Sequence, residues 1–201
     1  FDALCVQVSV MKRIISASAL ALLLLAPIGC IHFDRSAFET VNSVDLDKFM
    51  GDWFVLANIP TSMEEGAVNA IETYAMREDG DIDITFKFNQ DTADGELKVY
   101  HPKGFIEDTR TNAEWRVQFF WPIKLAYLII GLSDAYGYTV IAGPNHDYVW
   151  VMARTPTIPA AAWDEVNKLL VRQGYDLSRV QKVPQDWPEA SLPVEEPAQN
   201  L

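Results

Sequence analysis

Apolar and polar residues alternate along the middle of the chain in a series of short segments. The clearest is residues 82–89, where Ile or Phe at every second position alternates with polar side chains. This period of two is typical of a β-strand with one buried face. Eight segments of strand character are separated mostly by turns that contain Gly, Pro, Asp or Asn. They are residues 51–59, 67–76, 82–89, 96–106, 114–120, 125–132, 137–142 and 147–154.

The remaining elements are few. Apolar side chains recur at helical spacing in residues 160–173, and Gly174 follows as a helix stop, so one amphipathic helix is predicted there. A single helical turn is predicted at 45–50 and a short last strand at 177–180. Within the fourth strand, Pro102 predicts a bulge or bend.

Eight short strands at a spacing of roughly 8–12 residues indicate an all-β sandwich or barrel. A single late helix fits neither alternating strands and helices nor a helical bundle. Because short turns join most of the strands, neighbours in sequence should pair. The prediction is an eight-stranded antiparallel up-and-down β-barrel, whose closure removes both edges and leaves room for one small ligand.

The first 29 residues predict an export signal. Met11 is followed by two basic residues and then by an apolar stretch at 14–28, which is short for a membrane span. Gly29 and Cys30 come directly after it. Residues 1–10 contain no initiator and are expected to be an upstream extension.

The end of that stretch, residues 25–30, resembles a bacterial lipobox. The resemblance implies cleavage before Cys30 and a diacylglyceryl anchor on its sulfur. Bacterial lipoproteins carry two or three acyl chains, which are enough to hold a protein stably at a membrane. An Asp directly after the cysteine would resemble an inner-membrane retention signal. Residue 31 is Ile, which favours the outer membrane, with the domain facing the periplasm. An ordinary signal peptide with an incidental cysteine is the alternative. The expected divisions are an upstream extension at 1–10, a signal peptide at 11–29, a lipidated tether at 30–44, a barrel domain at 45–184 and a flexible acidic tail at 185–201.

The charge and the cysteines narrow the classes of partner. A formal net charge of −12 repels phosphate backbones and anionic membrane surfaces, so no nucleic acid partner is expected. Alternatively, the negative charge serves only to keep the protein soluble. Cys5 and Cys30 both precede the predicted barrel, so no disulfide framework is implied.

Candidate chemistry is sparse. The three histidines lie far apart in sequence and lack metal-ligand spacing, and no serine has the Gly-x-Ser-x-Gly context of a nucleophile. We therefore predict no catalytic residue, no metal site and no cofactor. Glu72 is the one carboxyl in a predicted strand that strand parity directs inward, although a solvated strand face is an equal alternative.

The ends of the predicted barrel carry a family resemblance. Gly51, Trp53 and the Phe that follows form a Gly-x-Trp-Phe motif that resembles the lipocalin signature, and Arg154 ends the last strand before Thr-Pro. In lipocalins such an arginine lies across the tryptophan at the closed end of the barrel, a cation–π contact of roughly 0.5–2 kcal/mol. The helix beyond it is similar to the one that packs outside the barrel in that family.

The resemblance extends from about residue 44 to residue 184. Its most similar stretches are those of the bacterial outer-membrane lipoprotein branch, which is related to apolipoprotein D. These stretches are residues 49–60, 119–124 and 147–156. The fold that it implies is the all-β lipocalin barrel.

Strand parity then assigns the barrel lining, because side chains on a strand repeat every two residues. Counting from Trp53 and Arg154, and from the alternation in residues 82–89, gives nine expected ligand contacts, and alternate positions of the second strand add three, so that twelve are expected, mostly apolar. They are Val55, Ala57, Ile59, Glu72, Tyr74, Met76, Ile84, Phe86, Phe88, Tyr148, Trp150 and Met152. For any one of them, packed core is the alternative.

The resemblance implies a protein that binds and stores or transports a fatty acid or lysophospholipid at the outer membrane, for membrane maintenance, without chemistry. The alternatives are a lipocalin-type enzyme that acts on a buried lipid and a structural lipoprotein with a filled barrel. The apolar segment at 121–124 could line the mouth, dip into lipid or form a homodimer contact. An ordinary packed loop is the fourth alternative for this segment.

Overall fold

The computed structural model describes residues 38–187, which form a closed antiparallel β-barrel. Its strands are β1 (Gly51–Ile59), β2 (Ala67–Met76), β3 (Ile82–Gln90), β4 (Leu97–Tyr100), β5 (Lys103–Ile106), β6 (Glu114–Phe120), β7 (Ile123–Leu132), β8 (Tyr138–Ala142), β9 (Val149–Ala153) and β10 (Gln181–Lys182). Consecutive strands pair in order, with β3 followed by β5, and the pairing of β9 with β1 closes the ring. β4 pairs with the other half of β3, and β10 pairs with β1.

The predicted eight-stranded barrel is confirmed. The predicted fourth strand is divided at His101 and Pro102 into β4 and β5, because proline cannot donate to a sheet ladder. β7 begins at Ile123, two residues earlier than predicted, so a two-residue turn joins it to β6. The turn at 45–50 is α1 (Leu46–Phe49), and the carboxylate of Asp45 caps it by accepting a bond from the amide of Lys48.

The helix at 160–173 is α2 (Ala160–Arg172), which packs its buried Val166 and Leu170 against the outside of the barrel. Within residues 38–187, no helix has the length and apolarity to cross a bilayer. The prediction of a strand at 177–180 is wrong. That segment is a 3₁₀ turn (Leu177–Arg179) whose first amides bond to Asp176, and the strand follows it as β10.

Aromatic rings fill the closed end of the barrel. The ring of Phe49 lies 5.1 Å from Trp53, 5.6 Å from Tyr74 and 5.4 Å from Trp115, measured between centroids. All four side chains are essentially inaccessible to water. Such clustered rings add edge and offset contacts to the apolar burial, so this end is solid.

A β-bulge in β1 changes which side chains face the interior. Val55 pairs with Met152, but Ala57 pairs with Val151, so Leu56 is an extra residue on the β1 side. Partners in a ladder share a face, and Val151 lies on the outer face under α2. The prediction that Ala57 and Ile59 face inward is therefore wrong, because one inserted residue reverses the parity beyond it.

Both margins of the described chain pack on the barrel. Phe38 and Val44, which fall within the predicted tether, are buried, and the ring of Phe38 lies 4.7 Å from His146. Gln185 donates to the carbonyls of Val55 and Ala70, although it falls within the predicted tail. The predicted signal peptide and lipidation site lie outside the described residues.

Candidate functional site

A cavity of about 330 Å³ opens at the end of the barrel opposite the aromatic cluster. Strands β2, β3, β6 and β7 form its walls, and the loops after β1 and β8 form part of its rim. Its lining is predominantly apolar and aromatic, as in small-molecule sites. The lining residues are Thr61, Ser62, Met63, Glu64, Glu72, Ile84, Phe86, Pro102, Val117, Phe119, Phe120, Ile123, Leu125, Ala126, Tyr127, Pro144, Tyr148 and Trp150.

Five of the twelve side chains that parity assigned to the lining are at this cavity. They are Glu72, Ile84, Phe86, Tyr148 and Trp150. Four others belong to the packed interior core without lining the cavity. They are Val55, Tyr74, Phe88 and Met152.

The last three do not line the cavity. Ala57 and Ile59 lie under α2, as the bulge in β1 requires. Met76 keeps the inward parity, since it pairs with the buried Ile82, but it is 40% exposed at the end of β2, so its predicted ligand contact is wrong. Parity carries no information about where a strand leaves the core, and Met76 lies past that point.

Sequence reasoning missed most of the cavity mouth. The loop that supplies Thr61 and Glu64 has no periodic pattern, so only the folded loop places these side chains over the opening. By contrast, alternate positions of 114–120 carry apolar residues, and these contribute Val117 and Phe119 to the wall. Applying the two-residue period to that segment would have found them, whereas residues 125–132 are apolar throughout and give no such signal for Leu125.

A hydrogen-bonded chain of three side chains lies at the inner end of the cavity. The hydroxyl of Tyr74 donates to Oε2 of Glu72 and lies 2.5 Å from the hydroxyl of Tyr127. Burial raises the pKa of Glu72 to about 7, opposed by the Tyr74 hydrogen bond and aided by the charge of Glu64. Burial also raises the pKa of both tyrosines well above the usual value, so they stay neutral.

A second carboxyl is held at the rim. Oε1 of Glu64 accepts a 2.6 Å hydrogen bond from the indole nitrogen of Trp150, and Oε2 accepts one of 2.8 Å from the amide of Thr61. Burial raises the pKa of Glu64, and these hydrogen bonds oppose the rise. The hydroxyl of Thr61 is buried beside this carboxylate, and its interaction with Glu64 also opposes the rise in the pKa of Glu64.

The closed end carries the contact that the family resemblance implied. The guanidinium carbon of Arg154 lies 3.7 Å from the centroid of the Trp53 ring. Its nitrogens also donate to four backbone carbonyls, at 2.7 Å to Asp52, 2.6 Å to Lys48, 2.9 Å to Met50 and 3.1 Å to Phe49. Arg154 therefore ties α1 and the start of β1 to the end of β9.

The turn between β6 and β7 exposes apolar side chains at the mouth. Phe120 and Ile123 line the cavity and are still 64% and 60% exposed, while Trp121 is 87% exposed. Lys124 lies over the Phe105 ring, with its ammonium nitrogen 3.2 Å from the ring centroid. Segment 121–124 is therefore not an ordinary packed loop, and Ile123 lines the mouth.

The described residues 38–187 contain no group of three or more His, Cys, Asp or Glu side chains that could hold a metal ion. Within this described part of the chain, the lining of the cavity contains no Lys, Arg or His side chain. The arrangement can therefore bury an apolar chain and offer it two carboxyls, two tyrosine hydroxyls and one indole N–H. These groups can bind and orient a ligand.

Comparison with known proteins identifies similar sequences and folds. A family described as lipocalin-like domain matches residues 44–185. The chain is 31% identical over 140 residues to outer membrane lipoprotein Blc of Escherichia coli, which covers 69% of this chain and 78% of that protein. It is 28% identical over 153 residues to the protein of the same name from Vibrio cholerae, covering 76% and 88%.

More distant similarities agree with the fold. Bovine apolipoprotein D is 24% identical over 143 residues, covering 68% of this chain and 74% of that protein. Among solved structures, the cockroach allergen Per a 4 superposes with a TM-score of 0.58 at 20% identity, covering 74% and 94%. Insecticyanin from the tobacco hornworm Manduca sexta superposes with a TM-score of 0.59 at 17% identity, covering 77% and 87%.

Proposed function

This chain belongs to the lipocalin family, and we propose that it binds and stores or carries a fatty acid or lysophospholipid at the bacterial outer membrane. The observation that carries the proposal is the cavity of about 330 Å³ in a barrel whose other end is solid. Its size lies within the roughly 300–1,000 Å³ range of small-molecule sites. The role that follows is maintenance of that membrane.

The composition of the wall supports an acyl chain as the buried part of the ligand. Ile84, Phe86, Val117, Phe119 and Leu125 present apolar surface to the cavity. Each CH₂ group that moves from water into such a site gains about 0.8 kcal/mol, so a chain of ten or more carbons is held without any chemistry. The exposed apolar rim would give such a chain a continuous path from outside.

The location rests on two supports. Relatives with 28–31% identity are named outer membrane lipoproteins. Cys30 follows an apolar segment that resembles a lipoprotein signal, so we propose that a diacylglyceryl group on Cys30 anchors the domain with its cavity facing the periplasm. The proposed partners are thus a small hydrophobic ligand and the outer membrane, and a homodimer through the exposed rim is left as an alternative use of that surface.

Native mass spectrometry of the purified full chain tests the carrier function. We expect a bound species with the mass of a fatty acid or lysophospholipid. Val117→Phe places a ring in the cavity and should abolish this species, while Ala75→Phe on the exposed face of β2 should retain it. If no lipid co-purifies with the wild type and no added lipid binds to it, the result would instead support a structural lipoprotein with a filled barrel.

The anchor has a separate test. Cells that express the wild type should incorporate radioactive palmitate into the protein, and Cys30→Ala should not. Equal labelling of the two proteins would refute lipidation at this residue and would leave the ligand-binding proposal intact.

The proposal describes a binding protein and not an enzyme. The enzyme alternative would use Glu72 as a base, because a carboxyl with a pKa of about 7 is suited to proton transfer at neutral pH. Turnover of a lipid that is lost in Glu72→Gln while binding is retained would favour that alternative.

A further inference from the structure

The cavity contains two ionisable carboxyl groups, although its walls are mostly apolar. Its lining carries the carboxyl groups of Glu64 and Glu72, and no cationic side chain from residues 38–187 accompanies them. Both side chains are buried, and no ion pair to either is formed within residues 38–187. Buried carboxyls are normally paired with a cation or bound to a metal, so this site lacks its usual counter-charge.

Each carboxyl is positioned by the protein and still has capacity to bind a ligand. The hydrogen bond from Tyr74 occupies Oε2 of Glu72, and Oε1 has no hydrogen-bond partner among residues 38–187. Trp150 and the amide of Thr61 orient Glu64 with one hydrogen bond to each oxygen, and each oxygen can accept another.

The aromatic wall beside the carboxyls is suited to a cation as well. The rings of Tyr148 and Trp150 line the cavity and are nearly parallel, with centroids 6.3 Å apart. Aromatic faces attract ammonium groups, most strongly where water is excluded. Glu64 and these ring faces thus occupy the same part of the lining, at the rim, while Glu72 lies at the inner end of the cavity.

We propose that the cavity selects a single-chain amphiphile with an ammonium group, which the carboxylate of Glu64 binds beside the rings of Tyr148 and Trp150 and which the charge of Glu72, deeper in the cavity, also attracts. This inference rests on the proposed lipid-binding function and specifies the polar part of the ligand. An anionic carboxylate placed at the same point would meet two like charges. The ammonium group belongs either to a simple cationic amphiphile or to a zwitterionic lysophospholipid headgroup.

The site also makes binding depend on pH. A proton and an ammonium group compete for the carboxylate of Glu72, whose pKa is about 7 in the empty cavity. The groups that act on it are Tyr74 on its own strand, Tyr127 on β7 and Glu64 on the rim. Affinity for a permanent cation should therefore fall as the pH drops below 7, by up to about tenfold per pH unit.

Isothermal titration calorimetry on the full chain with twelve-carbon probes tests the proposal. Dodecyltrimethylammonium keeps its charge at every pH, dodecanol is uncharged, and dodecanoate is anionic. At pH 8.5 we expect the ammonium probe to bind at least about tenfold more tightly than the other two, as charge-assisted contacts require. A lysophosphatidylcholine with a twelve-carbon chain then distinguishes the source: binding equal to the cation indicates a zwitterionic headgroup, and weaker binding indicates a simple cationic amphiphile.

The variants separate this inference from the function on which it rests. Glu72→Gln and Glu64→Gln should each weaken the ammonium probe about tenfold and leave dodecanol within about threefold, while Glu78→Gln on the exposed surface changes neither. The proposal would be overturned if dodecanoate bound as tightly as the cation and its affinity rose at low pH. It would also be overturned if the preference for the cation persisted in Glu72→Gln. If no probe binds at all, the lipid-binding function itself fails.

Discussion

Substitution of Glu72 by Gln should change how the stability of the fold depends on pH. Burial raises the pKa of Glu72 from 4.5 to about 7, so the folded protein resists ionisation of a group that ionises readily in the unfolded chain. Because the folded state favours the protonated form of Glu72, the stability is fully present below pH 4.5 and is lost as the pH rises through 7. Gln keeps the shape and still accepts the Tyr74 hydrogen bond, but it does not titrate.

The magnitude follows from the size of the shift. One pKa unit corresponds to about 1.4 kcal/mol, so ionisation of Glu72 lowers the free energy of unfolding by about 3 kcal/mol between pH 4.5 and 8.5. The loss should level off above pH 7, where Glu72 is charged in both states. Relative to the wild type, Glu72→Gln should therefore gain about 3 kcal/mol at pH 8.5 compared with pH 4.5.

Urea denaturation of both proteins at several pH values between 4.5 and 8.5 measures this difference. Glu78→Gln, at an exposed carboxyl, is the matched control and should follow the wild type. Parallel stability curves for the wild type and Glu72→Gln would refute the reasoning. They would mean that Glu72 ionises as easily in the barrel as in the unfolded chain, and hence that water reaches it.

Three further substitutions test the frame around the cavity. Arg154→Ala removes the stack on Trp53 and the donors to four carbonyls, so the free energy of unfolding should fall by about 2–4 kcal/mol, and Arg154→Lys should recover less than half of that. Gly131→Ala would place its Cβ 2.4 Å from the side chain of Leu169 on α2, so the free energy of unfolding, measured by thermal denaturation, should fall by about 1–3 kcal/mol. Gly137→Ala is the control and should cost less, because the nearest atom to its Cβ would be 3.7 Å away. Trp121→Ser should leave stability within about 0.5 kcal/mol in urea, since the ring is 87% exposed, and a larger loss would show that it packs.

The parity errors on β1 and the success on β3 have one physical explanation. β3 is regular along its inward positions, so Ile84 and Phe86 point where the two-residue period directs them. β1 contains an additional residue at Leu56, and no local property of that segment marks it. The bulge lies in the part of β1 that pairs with β9, so it is a feature of that ladder and not of the segment alone.

The polar half of the site shows the same division. Parity placed Glu72 inside, but not its hydrogen-bonded chain to Tyr127, which lies on the other side of the barrel interior. Glu64 and Thr61 come from a loop without periodicity, and Trp150 fixes that loop from 86 residues away through its bond to Glu64. Contacts of this kind depend on closure of the barrel, which brings distant segments together.

By itself, the sequence determined the class of fold, most of the strand bounds, the helix on the outside and the end at which Trp53 and Arg154 meet. The fold class, the strand bounds and the helix depend on local periodicity, and the meeting of Trp53 with Arg154 was implied by the resemblance to the lipocalin motifs. Only the tertiary structure decided which inward side chains pack into a solid end and which surround a cavity. That division depends on bulges, loop positions and the pairing of Glu64 with Trp150, which are set by long-range contacts rather than by neighbours along the chain.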